Sequence, residues 1–225
     1  MCGRYELHTN PHVVALQFGL GMDPEFAARY NITPSSSILI VREDRDNGRV
    51  ADQYRWGLIP GWAKDPSIGN KLANARGETL AEKPSFRTAF KHRRCVVPAS
   101  GFYEWKTIAG KKHPYYIRPA GDELFGLAGI AELWNGPDGA VRTVALITTE
   151  PNELMRTIHD RMPVIIPVKD YGAWLDPTNL NVADLAQFIR PYPSRDMRAH
   201  PVSMRVNAPK NDDPELLNPV DLPTK

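Results

Sequence analysis

Gly101-Phe102-Tyr103-Glu104-Trp105-Lys106-Thr107-Ile108-Ala109-Gly110-Lys111-Lys112-His113-Pro114-Tyr115-Tyr116-Ile117-Arg118 reads as two strands folded about a turn. Residues 102–105 and 115–118 are rich in aromatic and β-branched side chains, and Gly110 lies between them, so a hairpin is predicted. Side chains on a strand alternate between its faces. Phe102 and Glu104 therefore share one face, and Tyr103 and Trp105 the other. A carboxylate held in an apolar pocket has a raised pKa and suits proton transfer, whereas on an edge strand the same Glu104 would simply face water.

Working outward, similar strand signals occur at residues 37–41, 50–56, 94–97, 124–133 and 143–149, each bounded by Gly, Pro, Asp or Asn. Residues 163–166 and 197–205 read as late strands. Helical spacing appears at 11–20 (Val13, Val14, Leu16, Gln17, Leu20), with Pro11 near the first helical position. A short helix is expected at 152–158. Another is expected at 182–189, with Asn181 and Asp184 resembling its cap. Strands and helices do not alternate regularly, so one α+β domain is predicted rather than a parallel α/β sheet. Its body is placed at residues 1–208. Residues 209–225, with Pro209, Pro214, Pro219 and Pro223, are expected to lie extended over the surface.

The 225 residues are 42% hydrophobic and 24% charged, the composition of a folded soluble chain. No run approaches the length of a membrane helix, and no apolar segment follows Arg4 as in a signal peptide. Two cysteines, Cys2 and Cys95, are too few for a disulfide framework, and a reducing cytoplasmic setting is expected. The net charge is +2. The last 17 residues hold two Lys against Asp212, Asp213, Glu215 and Asp221, a net of −2, which leaves +4 on residues 1–208. This is a mild lean toward an anionic partner.

Cys2 is the most informative single residue. Removal of Met1, usual before a small side chain, would leave Cys2 with a free α-amine beside its thiol. Such a 1,2-aminothiol condenses with an aldehyde to an imine and then closes to a thiazolidine ring. A cysteine at position 2 without that role is the alternative. In Asn74-Ala75-Arg76-Gly77-Glu78-Thr79, Asn74 offers amide donors and an acceptor, and Arg76 a fork suited to phosphate, although a turn with a surface ion pair would use the same residues. In Ile158-His159-Asp160-Arg161-Met162-Pro163-Val164, His159 suits proton transfer near pH 7, or a purely structural bond to a carbonyl. His8, His12, His92, His113 and His200 share no spacing with each other or with Cys95, so no metal site and no cofactor are expected. Arg4, Arg76, Arg87, Lys91, Arg93, Arg94, Trp56 and Trp62 are candidates for a surface that grips single-stranded nucleic acid, with Trp62 in the loop-like Trp56-Gly57-Leu58-Ile59-Pro60-Gly61-Trp62.

Met1-Cys2-Gly3-Arg4-Tyr5, Arg29-Tyr30-Asn31-Ile32-Thr33-Pro34, Arg55-Trp56-Gly57-Leu58-Ile59-Pro60, the segments at 74–79, 101–105 and 158–164, His200-Pro201-Val202-Ser203 and Val206-Asn207 follow one another in the order of the SRAP family (SOS-response-associated peptidase), which this chain resembles from residue 2 to about 219. The resemblance implies a strand-rich α+β domain with a β-barrel-like core flanked by helices. It implies an abasic-site processing protein with lyase-like chemistry, in which Cys2 crosslinks covalently to the aldehyde of abasic sites in single-stranded DNA and protects them from cleavage. On this reading Cys2, Asn74, Glu104 and His159 are catalytic: Asn74 and Glu104 orient the amine and shuttle protons, and His159 assists sugar opening and imine turnover. Arg4, Trp62 and Arg76 are DNA contacts, and the protein is expected to act as a monomer. The alternatives are a cysteine (auto)peptidase using Cys2, His159 and Glu104 as a triad, as the family name suggests, and a non-catalytic reader of modified DNA bases. Gly77 and Ser100 depart from the family pattern, where Ala and Asp are expected.

Overall fold

The computed structural model describes residues 2–121 and 124–222; Met1 and the end of the C-terminal segment, with Pro223, lie outside the described residues. Among the described residues thirteen strands run in order: β1 (Tyr5–Leu7), β2 (Arg29–Ile32), β3 (Ser37–Asp44), β4 (Gly48–Trp56), β5 (Asn74–Arg76), β6 (Arg94–Ala99), β7 (Gly101–Ile108), β8 (Lys111–Pro119), β9 (Phe125–Gly136), β10 (Gly139–Thr149), β11 (Met162–Pro163), β12 (Ile165–Ile166) and β13 (Met197–Pro201). Five short helices accompany them: α1 (Pro11–Phe18), α2 (Arg87–His92), α3 (Glu153–Arg156), α4 (Tyr171–Leu175) and α5 (Val182–Ala186).

The larger sheet follows the path β10-β4-β3-β6-β9, and β9 also pairs with β10 along an eight-position antiparallel ladder from Gly139↔Gly136 to Leu146↔Gly129. That pairing returns the sheet on itself and makes a closed five-stranded barrel. Closure leaves no exposed edge among the five. A second sheet, ordered β13-β8-β7-β1-β2, packs against the barrel. The architecture is therefore a single strand-rich α+β domain with a barrel core and flanking helices. The hairpin read from residues 101–118 is β7–β8, with Glu104 opposite Tyr115 and its turn at Ala109-Gly110, where both residues adopt positive φ.

Alternation on β7 divides the second sheet into two environments. Phe102 joins the main core with Tyr5, Trp56 and Cys2. Tyr103 joins a separate cluster on the opposite face with Tyr116, Val202, Val206 and Leu216, against which Trp105 packs.

Several sequence expectations are revised. Helix α1 stops at Phe18 because Gly19 takes the left-handed conformation (φ 68°) and its N–H caps Ala15 and Leu16. Its core face is Val14, Ala15 and Phe18, while Val13 and Leu16 face solvent. The strand expected at 163–166 is broken at Val164. There the chain passes from β10 to β9, its N–H donating to Ile147 and its carbonyl accepting from Ala128. The strand expected at 197–205 ends at Pro201, and Ser203 then caps a 3-10 turn at Met204–Asn207 through the Arg205 N–H. Asn181 caps α5 through the Ala183 N–H rather than through a reciprocal bond with Asp184. The segment after Pro209 is more than an extended cover, since Pro214–Leu217 forms a 3-10 turn that buries Leu216.

Phe102 is fully buried where the second sheet meets the barrel. Phe102→Ala is expected to cost about 3–5 kcal/mol of unfolding free energy in a denaturant titration; a loss below about 1 kcal/mol would place Phe102 outside the core.

Candidate active site

Cys2 precedes β1, and the β1–β7 pairing decides what lies beside it. Tyr5 is opposite Phe102, and the Tyr103 N–H donates to the Arg4 carbonyl at 2.9 Å, which continues the ladder toward the N-terminus. Extending this antiparallel register sets Gly3 opposite Glu104, and the Cys2 thiol next to it lies close enough to Glu104 to feel its charge. From the other side comes β5, parallel to β10 with Ala75 opposite Ile147. Ala75 is buried in the core, so Asn74 and Arg76 point to the opposite face. Asn74 Nδ2 donates to the Cys2 carbonyl at 2.8 Å. Its Oδ1 is buried and accepts no hydrogen bond among the described residues. A buried amide oxygen without a donor is costly and suits an N–H that arrives with the reacting group.

Glu104 is almost wholly buried, and that burial pushes its carboxyl above the ordinary range, with the nearby His159 pulling the other way. His159 Nε2 lies 3.8 Å from Glu104 Oε2, close enough for electrostatic coupling and too long for a direct hydrogen bond. At Nδ1 two groups compete. The Arg161 N–H at 3.0 Å requires a lone pair there, whereas the Asp160 carboxylate at 2.9 Å requires a proton. In the neutral tautomer that accepts the amide at Nδ1, the proton sits on Nε2 and faces Glu104. The Cys2 thiol is buried, and its pKa is pushed well up by that burial and by the Glu104 charge, so it rests as the thiol. The described geometry thus brings Cys2, Asn74, Glu104 and His159 together: a buried thiol, an amide clamp, a carboxyl of raised basicity and an imidazole.

Arg76, two residues from Asn74 on β5, is exposed, and Trp62 is 59% exposed with its Nε1 donating to the Pro84 carbonyl at 3.5 Å. The loop bearing Trp62 is anchored by Ile59, Ala63 and Trp134, so the indole projects from a fixed base. Arg4 is different. It is half-buried, lies 5.7 Å from the Trp105 ring centre and is bonded to Asn31 and Val206. Two other candidates for the nucleic-acid surface are internal. Trp56 is buried with Nε1 donating to Ala73, and Arg94 is buried with its guanidinium holding the Phe90, Trp174 and Asp176 carbonyls.

Sequence reasoning passed over Arg161. It grips Glu78 with two bonds of 2.6 and 2.9 Å and the Thr148 carbonyl at 2.8 Å, tying the His159 loop to the turn after Arg76. Its place in the 158–164 motif was the available signal. The departures from the family pattern also find local reasons. A Cβ at Gly77 would stand 2.1 Å from Ile189 Cγ2, and Ser100 Oγ bonds Thr9 Oγ1 and the His8 N–H at the end of β1. Among the described residues no group of three His, Cys, Asp or Glu is placed to hold a metal, and no helix is long and apolar enough to cross a membrane.

A closed barrel with a second sheet presenting a Cys-Asn-Glu-His cluster, its thiol and carboxyl buried, defines the class, and the chain belongs to the SOS response associated peptidase (SRAP) family, whose model matches residues 1–209. Among curated relatives, the abasic site processing protein YoqW of Bacillus subtilis is 46% identical over 222 residues, spanning 96% of this chain and 99% of that protein. The abasic site processing protein HMCES of Gallus gallus is 36% identical, over 86% of this chain and 66% of its own. A crystal structure of a Bacteroides thetaiotaomicron protein superposes with a TM-score of 0.88 at 27% identity, covering 97% of this chain and all of the other.

Because Glu104 holds its proton more tightly when folded than when unfolded, the folded state loses stability as pH rises above the ordinary carboxyl range. Glu104→Gln mimics the protonated form. Its melting temperature should therefore gain on wild type as pH is raised from 5 to 8; parallel melting curves across that range would remove Glu104 from a buried site.

Proposed function

We propose that this protein processes abasic sites by forming a covalent thiazolidine between Cys2 and the site's aldehyde in single-stranded DNA, acting as a monomer in a reducing cytoplasm and shielding the lesion from cleavage. The observation that carries this reading is the placement of Asn74, Glu104 and His159 about Cys2. The names of the relatives, abasic site processing proteins, supply the substrate class.

In this reading Met1 has been removed and the Cys2 α-amine is free. Asn74 Nδ2 holds the Cys2 carbonyl, and Asn74 Oδ1 receives an N–H of the amine. His159 moves a proton at Nε2 as the closed sugar opens to its aldehyde. The neutral amine adds to the carbonyl carbon, and the Glu104 carboxylate, its basicity raised by burial, carries the two nitrogen protons in turn to the oxygen, the first to the alkoxide and the second to the resulting hydroxyl, so that one water leaves and a neutral C=N bond remains. The Cys2 S–H then adds across that bond, sulfur to carbon and proton to nitrogen, closing a five-membered ring without a redox step. A thiol that rests protonated suits this addition. A triad peptidase would instead need a thiolate beside His159, and burial of Cys2 opposes that charge. Arg76 and the projecting Trp62 supply a phosphate contact and a stacking face for the strand.

Incubation with abasic single-stranded DNA is expected to give a heat-stable adduct. Cys2→Ser, which keeps the amine but not the ring-closing sulfur, should give only a reversible imine. Cys2→Ser crosslinking as durably as wild type would overturn the thiazolidine reading. Arg76→Ala should weaken binding of intact single strands and flatten the dependence of log K on log salt by about 0.7; an unchanged slope and affinity would take Arg76 off the DNA surface.

A further inference from the structure

Two of the sequence motifs contribute no group to the Cys2 cluster: Arg29-Tyr30-Asn31-Ile32-Thr33-Pro34, and the pair formed by His200–Ser203 with Val206-Asn207. They meet each other on the far face of the second sheet, beneath Arg4 and Trp105. Asn31 is fully buried there. Its Oδ1 accepts from Arg4 Nη1 at 2.7 Å, and its Nδ2 faces three carbonyls, Asn211 at 2.7 Å and Val206 and Ala208 at 3.2 Å. The same Arg4 nitrogen also donates to the Val206 carbonyl. Trp105, whose ring lies under the Arg4 guanidinium, donates from Nε1 to Asn207 Oδ1 at 2.8 Å.

The chain beyond residue 209 fastens this arrangement. Asp212 accepts from the Tyr30 N–H and pairs with Arg29, Leu216 fills the cluster of Tyr103 and Tyr116, and His200 Nε2 bonds the Leu217 carbonyl at 2.8 Å. Leu216 and Leu217 lie past the residues matched by the family model.

Arg4 is thus bound on its side chain by neutral acceptors and an aromatic face, with Nε buried and unbonded among the described residues. On its backbone, the carbonyl accepts from Tyr103 and the N–H faces the Cys2 sulfur. Fixing the side chain on one face of the strand fixes, on the other, the peptide that carries the thiol. Asn31 ties Arg4 to the 206–211 loop through its side chain with its amide donors and acceptor all engaged, and breaking it loosens that tie.

We propose that Asn31 is a positioning residue for Cys2: it locks the Arg4 side chain against the 206–211 loop and so holds the amine and thiol in register with Glu104. The kinetic part of this proposal rests on the crosslinking reading above; the structural part does not. With Asn31→Ala, the maximal rate of adduct formation at saturating abasic single-stranded DNA is expected to fall about tenfold or more, the cost of a small misplacement of reacting groups, while the half-saturating DNA concentration stays within about twofold. A raised half-saturating concentration at an unchanged maximal rate would overturn the proposal and make the Arg4–Asn31 pair part of DNA binding. Hydrogen exchange separates this test from the crosslinking reading: the amides of residues 3–5 should exchange about tenfold faster or more in the variant while those of 144–147 are unchanged. Unaltered exchange at 3–5 would overturn the proposal whether or not wild type crosslinks. Asn207→Ala, at an exposed position of the same clasp, provides the same two readouts if Asn31→Ala does not fold, with a smaller fall expected in the rate and wild-type values in both again overturning the proposal.

Discussion

The pairing of the N-terminal strand with β7 is the constraint on which the rest of the site depends. A chain terminus is ordinarily frayed, because its backbone groups bond water as well as they bond protein. Here the terminus is drawn into a sheet, with Tyr5 against Phe102 and the Arg4 carbonyl on the Tyr103 N–H. The side chains beneath the strand, Tyr5 and Cys2, are completely buried in the main core. The proposed attack by Cys2 needs a backbone as rigid as an interior strand, and that pairing supplies the rigidity. It also dictates the neighbour, since β7 alternation leaves Glu104 on the Cys2 side and Trp105 on the side of the C-terminal segment.

Burying a carboxyl costs free energy, and the fold accepts that cost at Glu104 where apolar packing would be more stable. The same burial suits the role proposed for it, because a carboxyl with a raised pKa binds a proton at pH values where an exposed glutamate does not. Asn74 repeats the pattern with its unbonded Oδ1. A buried carboxyl and an amide oxygen without a donor beside one buried thiol are a local expense that the closed barrel and its long β9–β10 ladder offset elsewhere.

Much of this was legible in the chain. The strands of the barrel announce themselves by β-branched runs between Gly, Pro, Asp and Asn, and the 101–118 hairpin by its aromatics about Gly110. The four residues of the cluster stood out as chemistry-bearing types, but their approach in space came from order within a family pattern rather than from spacing, because Cys2, Asn74, Glu104 and His159 reside on four separate elements. What could not be read was governed by tertiary contact. Val13 and Leu16 are apolar yet face solvent, since the core accepts α1 through Val14, Ala15 and Phe18. Arg94 and Trp56 look like surface binders and are buried because the carbonyls of α4 and of Ala73 satisfy them. The proline-rich segment after 209 suggested a loose cover, and only the fold shows Leu216 seated in the cluster under Arg4 and Trp105.

The proposed crosslink is tested most directly by where, and with what stoichiometry, a covalent bond forms. Intact mass spectrometry of wild type after incubation with an abasic single-stranded oligonucleotide, followed by peptide mapping, measures both. The predicted result is one oligonucleotide per chain, a mass equal to protein lacking Met1 plus DNA minus one water, and the modification confined to the Cys2 peptide. An unmodified protein, or an adduct carried by a lysine peptide with Cys2 untouched, would contradict it.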